Sequence, residues 1–228
     1  MENLLIVGAG GFGRELYGIA RECNGFGERF IIKGFLDDNP DALNGFNGYP
    51  PIVGSPESYV PQTGDVFITA IGSITARRRC AETLERHNAK FVSLVHRTAS
   101  LGVNVEIGNG TLIAQNSFIS ADVRIGRHAC IFQSVVVGHD TVLGNFAHVY
   151  ALCSIGGEVK IGDGAAVYPG ARIVPRRTIG NGAVVGIGSV VMLNVSPGTT
   201  VFGNPAAPMG HVFSAGANEP CELQDRSI

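Results

Sequence analysis

Tryptophan is absent from the chain, and little follows from that alone. The scarcity of charge says more. Only 16% of residues are Asp, Glu, Lys or Arg, the formal net charge is −2, and no basic block occurs. Binding to nucleic acid through phosphate neutralisation is therefore not expected. Low charge does not signal disorder here, because 45% hydrophobic residues suffice to bury a core. No run approaches the ~18 apolar residues of a membrane span. The opening MENLLIVGAGGFG lacks a basic leader and reads as a strand rather than a signal peptide, so a cytoplasmic location is expected. CxxC is missing too. The five cysteines, Cys23, Cys80, Cys130, Cys153 and Cys221, are scattered and odd in number, which suggests neither a disulfide framework nor a zinc knuckle.

What is abundant is glycine, 32 of 228 residues, which suggests many tight corners. The first ~95 residues alternate strand and helix patterns. NLLIVGAG (3–10), RFIIKGFLDD (29–38), DVFITAIGS (65–73) and KFVSLVH (90–96) read as strands, and 10–23 and 74–88 as amphipathic helices. The order β-α-β-β-α-β implies a small α/β domain with a mainly parallel sheet.

From Leu101 the period changes. Cutting every six residues gives LGVNVE, IGNGTL, IAQNSF, ISADVR and so on, sixteen hexads in one register over 101–196. Leu, Ile or Val opens every hexad, and glycine stands second in nine. Six residues are too few for a helical pair. They make one short strand and one corner of a β-solenoid, with the branched residue facing inward and the glycine allowing the turn. The pattern resembles the hexapeptide-repeat acyltransferases, which implies a left-handed parallel β-helix of three hexads per coil. The tail segment with Val201, Gly203, Pro205 and Ala206 resembles the family's closing segment. Expected domains are thus 1–97, a half-Rossmann-like α/β unit, and 98–211, the β-helix, with a frayed polar tail at 212–228.

Gly8-Ala9-Gly10-Gly11-Phe12-Gly13 fits G-x-G-x-x-G between a strand and a helix, a loop suited to a diphosphate at the helix N-terminus. Asp37 and Asp38 end the second strand, where ribose hydroxyls are bound in such domains. The domain is half a dinucleotide fold, so a nucleotide-sugar suits it better than NAD.

Together the halves resemble the sugar-nucleotide acyltransferases that include the UDP-4-amino-sugar N-acetyltransferases of bacillosamine synthesis and the sialic acid O-acetyltransferase group. The resemblance runs from IVGAGGFGRE through FLDDN, AIGS and His139–Asp140 to GNPA. It implies nucleotide-sugar contacts at Gly10, Gly11, Phe12, Asp37, Asp38 and Gly72. It also implies acetyl-CoA contacts at His148, Gly157, Pro169 and Ile187, and a homotrimer with active sites between subunits.

Six histidines occur: His87, His96, His128, His139, His148 and His211. A histidine on a solenoid surface is more often decoration than chemistry. His139 follows the corner glycine Gly138 and precedes an acid, and the resemblance makes it the general base, with Asp140 as its partner. The chemistry needs such a group, because an ammonium or a hydroxyl is not nucleophilic at neutral pH. No cysteine stands in a nucleophile motif, so direct attack on the thioester is expected. Amino-sugar N-acetyltransferases of this family carry His-Glu where this chain has His-Asp, which leaves O-acetylation of a sugar as the alternative. His148 lies nine residues from His139, half a coil, so the two are expected to meet only across a subunit interface. Two other classes stand beside this one: a γ-type carbonic anhydrase with zinc on His128, His139 and His148, and a non-enzymatic scaffold. The expected chemistry uses no metal.

Overall fold

Residues 1–209 are described by a computed structural model of the chain; His211 and the expected frayed tail at 212–228 lie outside them. The N-terminal part runs β1 (Glu2–Val7), α1 (Gly11–Ala20), β2 (Phe30–Leu36), β3 (Ile52–Gly54), β4 (Asp65–Thr69), α2 (Ile74–Arg86) and β5 (Lys90–Phe91). Its strands form one parallel sheet in the order β3-β2-β1-β4-β5. β1 takes the centre because Leu4, Leu5, Ile6 and Val7 are apolar without alternation and are buried on both faces.

Two details depart from the sequence pattern. β3 was not expected; three residues behind Pro50 and Pro51 are too few to show alternation, yet Ile52 pairs with Phe35. The apolar run 90–96, expected as one strand, divides. β5 joins the α/β sheet, whereas Leu94–Val95 pairs with Leu112–Ile113 as the first rung of the solenoid.

In the solenoid, two-residue strands recur every six residues and pair in parallel every eighteen, as in Cys130↔His148↔Ala166. Three sheets result. The branched residues opening the hexads point inward and stack into one aliphatic column, from Ile113 through Val137, Leu143 and Val149 to Val191. The corners are not made by the glycines in second place. The residue in fourth place takes the left-handed conformation: Asn104, Asn116, Asp122, His128, Ser134, Asp140, Phe146, Leu152, Glu158 and Arg176 have φ between 55° and 63°. The second-place glycines serve a different need. A Cβ on Gly138 would stand 2.5 Å from the Gly157 backbone nitrogen of the next coil, and one on Gly144 2.6 Å from that of Asp163. Gly138 and Gly144 thus let coils stack closely, while Asp140 and Phe146 turn the chain.

On two faces of the prism the outward residue of each strand is mostly exposed, as at Phe118, Val136 and Val142. On the third face Leu112, Cys130, His148 and Ala166 are buried, because both helices lie on that side. Leu16, Ile19 and Cys23 of the α1 side pack with Leu112, Cys130 and Phe132. Ala81 and Leu84 of α2 pack with Phe91 and Phe146. At the far end Thr200–Phe202 extends the covered face after Val184–Val185, and Ala207–Pro208 folds back on it.

Candidate active site

The glycine loop is built as its motif requires. Gly8 has φ 107° and Gly13 backs onto the Gly8 backbone, so both are glycine for packing reasons. Gly10, Gly11 and Gly72 are not: a side chain on any of them would meet nothing within 4 Å. α1 starts after Gly10 with no side-chain cap and no acid in its first turn. Its first N–H groups are thus available to an anion. Asp37 braces the loop, its carboxylate accepting from Ala9 N at 2.7 Å and from Asn39 N at 2.9 Å. Asp38 accepts from Ser55 Oγ at 2.6 Å.

Where the loop and α1 meet the covered face, a cleft of about 320 Å³ opens. Phe12, Glu15 and Gly72 line one side, and Phe132, Gln133, His148, Tyr150, Ala151 and Pro169 the other. Phe12 and Gly72, from the expected nucleotide-sugar set, are therefore brought together with His148 and Pro169, from the expected acetyl-CoA set. Gln133, Ala151, Pro169 and Ile187 recur at eighteen-residue steps down one corner; Ile187 lies one coil beyond the cleft and is 58% exposed.

His148 is the most constrained residue here. It is only 1% exposed. Its ring stacks on Phe132 and on Tyr150, with centroids 5.0 and 4.2 Å away. Nδ1 lies 3.0 Å from Arg77 Nη1. A guanidinium can only donate, so Nδ1 accepts and the proton sits on Nε2. Burial, helped by the Arg77 charge, holds the His148 pKa well below the usual range for histidine. Nε2 has no hydrogen-bond partner, and neither has Gln133 Oε1. One spare donor and one spare acceptor thus belong to residues lining the same cleft. His148 is covered by the N-terminal domain of its own chain.

His139 stands elsewhere, at the opposite end of one exposed face. Its side chain is 60% exposed and that of Asp140 58%. Nδ1 and Asp140 Oδ2 are 2.7 Å apart, so the shorter acid still reaches the ring and leaves Nε2 free. Gly157 supports the pair from the next coil: a Cβ there would lie 2.7 Å from His139 Nε2.

His128 and His148 are both buried under the N-terminal domain of their own chain, His128 between Phe91 and Phe146. Neither can reach a zinc ion shared with His139 between subunits. Burial pushes the thiol of Cys23 up to about 12 and that of Cys153 up to about 11, so neither supplies a thiolate nucleophile.

Sequence reasoning missed Arg77, Glu15, Gln133 and Tyr150. For Arg77 a signal existed. It shares the buried stripe of α2 with Ala81 and Leu84, where an apolar side chain is the rule.

A parallel α/β domain with an anion-ready loop, set against a hexad solenoid across a mostly apolar cleft, defines a two-domain hexapeptide protein. Residues 3–84 match the PglD N-terminal domain family and residues 87–185 the GMPPB C-terminal domain family. UDP-N-acetylbacillosamine N-acetyltransferase of Bacillus subtilis (strain 168) is 31% identical over 117 residues, 50% of this chain and 51% of that protein, so the match spans about half the relative's length. The acetyltransferase domain of PglB from Neisseria gonorrhoeae FA1090 superposes with a TM-score of 0.83 at 26% identity, covering 92% of this chain and 100% of that one. A histidine-to-asparagine variant of perosamine N-acetyltransferase from Caulobacter crescentus, in complex with CoA and GDP-perosamine, superposes with a TM-score of 0.80 at 27% identity, covering 92% and 98%. In fold, and over part of its sequence, the chain is thus similar to sugar-nucleotide N-acetyltransferases.

Proposed function

We propose that the protein transfers the acetyl group of acetyl-CoA to the amino group of a nucleotide-linked amino sugar. The observation that carries the reading is the junction cleft, which joins an uncapped helix N-terminus to a buried histidine whose Nε2 has no protein partner. The diphosphate lies at the loop of Gly10, Gly11 and Phe12, with Asp37 bracing the loop and Asp38 near the nucleoside. The sugar enters the cleft past Gly72. Acetyl-CoA runs along the corner marked by Pro169 and Ile187, with its thioester carbonyl near His148. That CoA and GDP-perosamine are bound together in the perosamine N-acetyltransferase structure supports a site for two such ligands.

His139 acts as general base from a neighbouring chain of a trimer, because in its own chain it stands apart from the cleft. The Asp140 carboxylate accepts from Nδ1–H and keeps Nε2 as the basic atom. The sugar amine attacks the acetyl carbonyl carbon, Nε2 takes its proton, and the C–S bond breaks. The CoA thiolate leaves and recovers a proton from the imidazolium. Accumulating negative charge on the carbonyl oxygen calls for a fixed donor, a part we assign to His148 Nε2–H, which has no protein partner.

Thiol release from acetyl-CoA against a panel of UDP-, dTDP- and GDP-linked amino sugars, with the matching hydroxy sugars as controls, tests the reading. Turnover with an amino sugar is expected; turnover with hydroxy sugars alone contradicts N-acetylation. His139→Ala is expected to lower kcat by ~10²-fold or more with Tm unchanged. Near-normal turnover in that variant removes His139 from the mechanism.

A further inference from the structure

Arg77 is the anomaly of the fold. It is 0% exposed, sits in the apolar stripe of α2, and makes no salt bridge among the described residues. Burying a charge without a counter-ion is costly unless its hydrogens are used. Nη2 donates to Phe146 O at 2.8 Å, Nη1 reaches His148 Nδ1 at 3.0 Å and Cys130 Sγ at 3.3 Å, and Nε has no partner. Packing alone would be served better by leucine or methionine at this place. What an uncompensated guanidinium does here, and an apolar residue cannot, is determine the proton position on the ring beside the cleft.

We infer that Arg77 is a positioning residue that locks His148 as a neutral Nε2–H donor facing the cleft. Imidazole offers two neutral tautomers and a cation, and only one of these three states fits a donor held against Nδ1. The other groups around the ring do not compete for that proton. Cys130 is itself held by Arg77, Phe132 and Tyr150 present ring faces, and Phe12 and Glu15 of α1 line the opposite side of the cleft. Glu15 is the one carboxylate among the cleft residues. Protonating the ring would put two cations 3.0 Å apart with no water between them. The donor is therefore constant with pH, as an oxyanion-stabilising group must be if it shares a site with a base that titrates. The assignment of the cleft as the acyl-transfer site is taken from the proposed function; the proton position is not.

The test separates the two. In protein labelled with ¹⁵N-histidine, the ring whose signals vanish in His148→Gln is expected to show an unprotonated Nδ1 and a protonated Nε2. It is expected to keep both shifts throughout the pH range of folding. In Arg77→Gln that ring is expected to titrate and, when neutral, to carry its proton on either nitrogen, and kcat to fall where the ring is neutral with the KM for the nucleotide-sugar unchanged. Arg77→Lys, which restores a charge and a donor, is expected to return the single tautomer and the lost kcat. A wild-type His148 that carries its proton on Nδ1, or that titrates near neutrality, overturns the inference even if Arg77→Gln does not fold. A locked ring in a protein without acetyl transfer leaves the inference standing and overturns the function.

Discussion

The clearest chemistry at the residue scale is the division of labour between two histidines nine positions apart. His139 is exposed, paired with an acid and free at Nε2. His148 is buried, paired with a cation and protonated at Nε2. One environment suits a proton acceptor and the other a fixed donor. Gly157 keeps the first environment open, because any side chain there runs into the His139 ring. Gly157→Ala has no backbone penalty, since Gly157 is not among the positive-φ glycines. It is expected to displace the ring and lower kcat on the order of ten- to a hundredfold, with little change in Tm. Unchanged kcat means that the ring position is not critical. The adjacent His139–Asp140 pair was readable from the chain, because two consecutive residues cannot be far apart. The covering of His148 was not readable, because hexads do not say which of three faces the helices will occupy.

The element scale shows the same limit. The aliphatic column was legible, since Leu, Ile or Val recurs at the inward place and period alone decides that face. The corner mechanism was not. Glycine in second place looked like a turn residue, but the chain turns two places later, and the glycines answer to the backbone of the next coil. That requirement comes from a residue about eighteen positions away, which no local pattern displays. In the α/β sheet, one cross-element cluster makes a testable contribution to stability. Lys33 of β2 donates to Tyr59 Oη, Gln62 and Asp65, and Tyr59 donates to Asp65. Burial raises the Asp65 pKa, but hydrogen bonds from Lys33, Tyr59 and the Gln62 backbone outweigh it and hold the carboxyl below the usual value. A carboxyl lowered in the folded state stabilises the fold above its unfolded pKa of ~3.9 and loses that contribution as pH falls through the still lower folded value. Asp65→Asn is expected to destabilise by roughly 1–3 kcal/mol at neutral pH. Denaturant unfolding of the two proteins should converge as pH drops below that window; a pH-independent difference contradicts the ionic account.

For the whole molecule, the two domains were legible as separate periods, and their relation was not. α1 and α2 cover one face of the prism and create the cleft on it. This placement sends Phe12, Gly72, His148 and Pro169 to one site and leaves His139 outside. Two faces of the prism expose apolar residues, Phe118 and Val136 on one and Val142 on the other. Under the proposed function, a complete site combines the cleft of one chain with the His139–Asp140 pair of another, and the proposed trimer supplies that pairing.

Complementation between two inactive chains measures this directly. His139→Ala keeps the cleft and loses the base, while His148→Gln keeps the base and impairs the cleft. Co-expressed in equal amounts and purified as mixed oligomers, they are expected to recover activity in about a quarter of the sites of a ring with shared interfaces. Mixed oligomers no more active than either parent would mean that each chain holds its own site, and the shared-site account would be wrong.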